Sequence, residues 1–160
     1  FEEVTYEGYG PGGVAIMVVV LTDNRNRTAG EVRRVFDRSG GSLGAAGSVA
    51  WQFHRKGLIV LEGTSDQIIE AAIECGAEDF DASGGVTEVY VEPAQFFQVK
   101  EALEKRGIAP QSAELTMLPQ NTVRLPEDKV QQVMRLLENL EDLDDIQNVY
   151  SNVDLSGVST

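Results

Sequence analysis

Residues 14 to 21 read VAIMVVVL, an unbroken apolar run rich in β-branched side chains and fenced by glycines before it and by DNRN after it. At eight residues it falls far short of the ~20 that a membrane-spanning helix requires. A run of this kind is a strand buried on both faces or nearly so, and the chain has to supply cover for it. Its two flanks differ in kind. Upstream, YEGYGPGG places Gly8, Gly10, Pro11, Gly12 and Gly13 in what reads as a pliable turn, with Tyr6 and Tyr9 available for stacking. Downstream, Asn24-Arg25-Asn26-Arg27 sets two guanidiniums and two carboxamides just ahead of a helix.

That helix is predicted to begin at Thr28. Thr28-Ala29-Gly30-Glu31 matches the T-x-x-E capping box, in which the hydroxyl takes the Glu31 amide and the carboxylate returns to the Thr28 amide. Val32, Val35 and Phe36 form its apolar face, and Ser39-Gly40-Gly41 stops it. SVAWQFHRKGLIVLEG then reads as a β-hairpin, with Val49, Trp51 and Phe53 inward, a turn over His54 to Gly57 whose tip is basic at His54, Arg55 and Lys56, and a second strand over Leu58 to Leu61. A helix over Asp66 to Cys75 is capped by Gly76, and a second hairpin turns at Ser83-Gly84-Gly85. Pro93 opens a helix that Gly107 closes, and Ala113 to Leu118 is a strand. After Pro126 comes a long amphipathic helix with Val130, Val133, Met134, Leu136, Leu137 and Leu140 apolar, then a strand through DIQNVYSNV.

The first β-α-β-β unit lacks the α-β pair that would complete a split βαβ sheet, and the chain supplies that pair only after residue 125. The expected fold class is therefore α+β: two ferredoxin-like α/β-sandwich modules, the second inserted into the first. Residues 1–63 with 119–155 make the discontinuous outer domain, 64–118 the inserted one, and 156–160 a frayed tail.

Charge divides along the same lines. The chain carries a formal charge of -13, which at first sight opposes binding to a polyanion. Residues 1–62, however, hold seven acids against seven bases, and all seven bases lie between Arg25 and Lys56. Residues 63–118 hold eleven acids and three bases, and 119–160 eight acids and three bases. Asn24 to Thr28, the helix arginines Arg33, Arg34 and Arg38, and the His54–Lys56 cluster are thus the candidate contacts for phosphate or RNA edges.

Catalytic chemistry is thin. Gly8, Gly10 and Gly13 match G-x-G-x-x-G, but a strand follows them where the dinucleotide fingerprint needs a helix. One histidine and one cysteine make no zinc set, and Asp144/Asp145 and Glu78/Asp79 lack calcium-loop spacing. No enzyme, cofactor, metal or small-molecule substrate is expected. The lone Cys75 precludes an internal disulfide and suits a reducing compartment. The chain opens on Phe1, from which upstream sequence is expected.

Several blocks in order, YEGYGPGG, LTDNRNRT, EVRRVFDRSGGSLG, GSVAWQFHRKG, AAIECGAEDF, QSAELTM and NTVRL, closely resemble the YebC family over nearly the whole chain. The family's bacterial members are described as transcriptional regulators and its mitochondrial ones as translational activators. The resemblance implies a basic helical N-terminal domain, absent here, that contributes to nucleic-acid binding, followed by two α+β domains of which one interrupts the other. It implies a cytoplasmic protein, or a mitochondrial one in a eukaryote. It also implies a binding surface over Tyr9, Gly10, Pro11, Gly12 and Gly13, over Asn24, Arg25, Asn26, Arg27 and Thr28, and over His54, Arg55 and Lys56, to which the residue reading adds Arg34. The expected partner is DNA. The alternatives are ribosomal RNA on the ribosome, for a translation factor, and basic proteins, for an acidic interaction module.

Overall fold

The computed structural model describes residues 1–155; the tail expected to fray, 156–160, lies outside the described residues. The elements in chain order are β1 (Glu2–Tyr9), β2 (Ala15–Thr22), α1 (Arg25–Arg38), β3 (Ser42–Leu43), β4 (Phe53–Glu62), α2 (Asp66–Cys75), β5 (Asp79–Ser83), β6 (Val86–Val91), α3 (Phe96–Lys105), β7 (Ser112–Pro119), α4 (Glu127–Glu141) and β8 (Ile146–Ser151). They form two four-stranded sheets, ordered β3-β1-β2-β8 and β5-β6-β4-β7. Two compact units result: Phe1–His54 with the chain from Leu118 onward, and Arg55–Met117 between them. The fold is α+β, with two ferredoxin-like α/β sandwiches and the second inserted into the first.

In the outer unit β2 pairs with β1 on one side and with β8 on the other, both antiparallel. Every residue from Val14 to Val18 is buried, as the apolar run requires. Val14, Ile16, Val18 and Val20 point into one core with Val32 and Phe36 of α1 and Val133, Leu136 and Leu140 of α4. Each such side chain contributes ~1.5–3 kcal/mol by leaving water. The inner unit runs β-α-β-β-α-β, the split βαβ connectivity, and packs Ile59, Leu61, Val89 and Val91 against Ala71, Ala72, Val99 and Leu103. The outer unit reaches the same two layers by another route. It opens with the β1–β2 hairpin at the centre, adds β3 beside β1 after α1, and adds β8 beside β2 after α4.

Three local expectations change. The stretch before Gly10 is a full strand, since Val4, Tyr6 and Gly8 alternate with Glu3, Thr5 and Glu7. The hairpin over 49–61 does not form. Residues Ala50–Gln52 make a 3-10 turn, and Phe53–Glu62 is one strand of the inner sheet, so His54, Arg55 and Lys56 are no tip. Gly57 is there for close approach rather than for turning: a Cβ on it would sit 2.5 Å from Cδ1 of Phe96. The inner unit consequently starts at Arg55, nine residues before the expected 64.

The N-cap of α1 lies four residues earlier than the capping box suggests. Asn24 is the N-cap, its Oδ1 accepting the Arg27 amide at 3.1 Å, and Thr28 lies inside the helix, fully buried. The turn Ser83-Gly84-Gly85 forms as read, with φ of 64° and 82° at the two glycines. Gly76 ends α2 in the left-handed region, where the lack of a Cβ removes the strain.

Candidate nucleic-acid interface

At the N-terminal end of α1, the cations expected to await phosphate already have partners. Nη2 of Arg27 donates to Asp145 Oδ2 at 2.9 Å and to Asp23 Oδ1 at 3.2 Å, and its Nε lies 3.8 Å from Glu31. Thr28 Oγ1 donates to the same Asp145 oxygen at 2.7 Å and lies 2.7 Å from Thr22 Oγ1, which in turn accepts the Asn24 amide. This network ties β2, α1 and the approach to β8 together. Arg25 is exposed and reaches Glu2 only at 3.8 Å, while its carbonyl accepts the Tyr6 hydroxyl. Four carboxylates around two guanidiniums make this end a poor anion receptor. Asn24, Arg27 and Thr28 hold the fold together here.

The hydroxyl of Thr28 and then the Arg27 guanidinium hold the Asp145 carboxyl below its ordinary value. A depressed folded-state pKa stabilises above the ordinary carboxylate value near ~4 and is lost as pH falls through the folded value. Asp145→Asn is therefore expected to lower the melting temperature at pH 7, and the gap to the parent chain should narrow as melts are repeated toward pH 3. A gap constant with pH would show that the charge of Asp145 is immaterial.

The glycine loop is likewise a packed element rather than a pliable one. Gly10 and Pro11 are buried, and Pro11–Gly13 forms a 3-10 turn. Gly12 sits at φ 76°, and a Cβ there would meet Leu125 Cδ2 at 2.7 Å. A Cβ on Gly40 would lie 3.7 Å from Pro11, so the loop abuts the C-terminal end of α1. The fourteen residues of that helix, rising ~1.5 Å each, put Arg25 about 20 Å away at its other end. The loop and the cationic turn belong to opposite ends of α1 as well as of β2. Tyr9, partly exposed, donates its hydroxyl to the Ser48 carbonyl at 3.3 Å.

In the inner unit Lys56 is clamped between Glu78 and Glu92, its Nζ at 2.7 Å from each, with 13% of its side chain exposed. The Glu78 and Glu92 hydrogen bonds push its pKa up. Arg55 remains exposed and His54 half-buried. Lys56 thus neutralises acids of its own unit.

What the outer unit does gather is a different set. Arg38, Ser39 and Gly40 at the end of α1 face Gln132, Arg135 and Asn139 of α4 across an open groove of about 350 Å³. Among the described residues no carboxylate ion-pairs with Arg33, Arg34, Arg38 or Arg135. Arg34 stands one helical turn from Arg38, so a row of exposed guanidiniums leads to the groove. Its carboxamides and hydroxyl add neutral donors suited to phosphate oxygens. Sequence reasoning missed Gln132, Arg135 and Asn139. Their i, i+3, i+7 spacing marks one stripe of α4, but only the packing of α4 beside α1 reveals what that stripe faces.

A pair of α/β sandwiches, one interrupting the other, with a cationic groove on an otherwise acidic chain defines a class of two-domain α+β protein. The chain belongs to the TACO1/YebC family: the model of that family's second and third domain matches residues 1–153. A probable transcriptional regulatory protein of Caldanaerobacter subterraneus subsp. tengcongensis is 53% identical over 158 residues, covering 96% of this chain and 65% of its own length. One from Thermus thermophilus is 55% identical over 154 residues, covering 96% and 63%. The crystal structure of a conserved hypothetical protein from Aquifex aeolicus superposes with a TM-score of 0.89 at 48% identity, covering 96% of this chain and 65% of that one. The chain therefore spans about two thirds of the length of these relatives, somewhat less in each case.

Proposed function

We propose that this chain is the nucleic-acid-contacting body of a non-enzymatic, cytoplasmic regulator of gene expression that grips the phosphate backbone with Arg34, Arg38 and Arg135. The observation that carries this reading is the groove between α1 and α4, where guanidiniums stand without carboxylate partners among the described residues in a chain of charge -13. Free guanidiniums beside neutral donors bind phosphates bidentately and carry no base information. The names of the relatives point to transcription and hence to DNA. Titrating a labelled duplex with the chain over a range of salt tests the reading: affinity should fall as salt rises, because bound phosphates release counterions. Affinity indifferent to salt would end it.

A translational role on ribosomal RNA uses the same phosphate contacts. One observation favours it: Trp51, expected to face inward, is 68% exposed. An exposed indole suits the unpaired bases of RNA better than stacked duplex bases. Co-sedimentation with ribosomes at moderate salt separates the two readings. A protein left at the top of the gradient while it retards duplex DNA in a gel refutes the translational one.

A further inference from the structure

We infer that Trp51 and the hollow beside it form a seat for one unpaired nucleobase of a single strand. The inference rests on the nucleic-acid reading above and adds to it a site that reads bases rather than phosphates.

The indole is both exposed and fixed. It is the only tryptophan of the chain, it sits in the 3-10 turn Ala50–Gln52, and its Nε1 donates to the Ser48 carbonyl at 3.0 Å. The segment that carries it is fastened from below by Glu7, 6% exposed, on the opposite face of β1 from the core. Glu7 Oε2 accepts the Gly47 amide at 2.6 Å, and its Oε1 accepts the amides of Val49 at 3.0 Å and Ala50 at 2.6 Å. Burial raises the Glu7 pKa, but the three amides outweigh it and hold the carboxyl ionised below its ordinary range. Further bonds run from the Gly44 amide to the Glu7 carbonyl at 2.8 Å and from the Gln120 amide to the Gln52 carbonyl at 2.8 Å. With its N–H satisfied, what the indole still offers is a ring face.

Beside that ring lies a hollow of about 120 Å³ lined by Trp51, Gln52, Gln120, Asn121, Val123 and Asn152. It is well below the roughly 300–1,000 Å³ of small-molecule and cofactor sites. None of these lining residues is charged, on a chain of charge -13, and four of the six side chains are carboxamides. Asn152, 3% exposed, is locked: its Oδ1 accepts the Ala15 amide at 2.8 Å and its Nδ2 donates to Gln52 Oε1 at 3.1 Å. That bond orients Gln52 and leaves its Nε2 with no hydrogen bond among the described residues. Gln120 and Asn121 are exposed. Carboxamides present a donor and an acceptor side by side, which is the pattern of a base edge. A stacking face next to neutral paired donors and acceptors is how proteins hold single-stranded bases, whereas in a duplex those faces and edges are already engaged.

Because Trp51 is the sole tryptophan, its fluorescence reports this site alone. The chain is titrated with short oligo(rU), with oligo(dT) and with a duplex of equal length, while the polarisation of a label on each nucleic acid reports total binding. Single strands should quench the indole over the concentration range in which polarisation rises, and the duplex should bind without quenching. The stronger quencher identifies RNA or single-stranded DNA as the source of the base, and either supports the seat. Trp51→Ala should weaken single-strand binding roughly tenfold and leave duplex binding unchanged, and Trp51→Phe should restore most of it. Single strands that bind without quenching, at an affinity Trp51→Ala does not change, would overturn the seat and leave the phosphate reading standing. Absence of binding to all three nucleic acids would overturn both.

Discussion

Phe36→Ala should lower the stability of the outer unit by about 3–5 kcal/mol, the usual cost of emptying an aromatic site in a packed core. Phe36 has no exposed surface, and it lies so close to β1 that a Cβ on Gly8 would stand 2.8 Å from its Cε1. That glycine cannot yield to fill the space, and the strand behind it is held in register from Glu2↔Thr22 to Tyr9↔Ala15. A domain of this size has a total stability of roughly 5–15 kcal/mol, so the loss moves the unit close to unfolding at about 25 °C. Trp51 belongs to the same unit, and its fluorescence in urea follows that unit's transition. The midpoint should fall sharply for Phe36→Ala and barely shift for Phe1→Ala, a substitution in the same unit at a residue that is 89% exposed, where truncation removes little packing. Equal midpoints for the two variants would show that the helix-to-sheet contact around Phe36 is not where the unit's stability lies.

Reversing the groove charges should have the largest effect on binding. Arg38→Glu with Arg135→Glu replaces two free guanidiniums on facing elements by carboxylates, leaving the core residues Phe36, Val133 and Leu136 in place. Two lost phosphate contacts and the added repulsion should weaken duplex binding on the order of 100-fold near ~0.1 M salt, by a similar factor for unrelated sequences. The same reversal should leave the melting temperature within a few degrees, since neither arginine has an ion-pair partner to lose among the described residues. Polarisation titrations on two unrelated duplexes check this. A loss confined to one sequence would mean that the groove reads bases rather than phosphates.

Local chemistry made much of this fold legible. A β-branched run could only be a covered strand, Pro126 and the apolar spacing of Val130, Val133 and Leu136 gave α4, and paired glycines at 84 and 85 gave the hairpin of the inner sheet. Where two local signals competed, sequence could not choose between them. Asn24 and Thr28 are both good caps, and the decision was made by Asp145, which sits 117 residues away and holds the Thr28 hydroxyl inside the helix. Gly57 looked like a turn because the ring of Phe96 that demands it is distant in the chain.

The site was harder to read for the same reason. Clustering of arginines and lysines along the chain says nothing of where their counterions fold to. Lys56 finds Glu78 and Glu92, and Arg27 finds Asp145, so two of the three basic clusters are partly neutralised while the arginines later in α1 are left for other partners. Arg135 was invisible as a candidate because it lies within the acid-rich segment 119–160, yet in space it completes the groove begun by Arg38.

The most direct measurement is the slope of log affinity against log salt for duplex binding by the parent chain, by Arg38→Ala with Arg135→Ala, and by Lys56→Ala. Each phosphate contact removed lowers that slope by about one. The groove variant is expected to lose about two, and Lys56→Ala to keep the parent slope because its charge is already held by two glutamates. A groove variant with the parent slope, or a Lys56→Ala slope lowered as much, would contradict the assignment of phosphate contact to the arginines between α1 and α4.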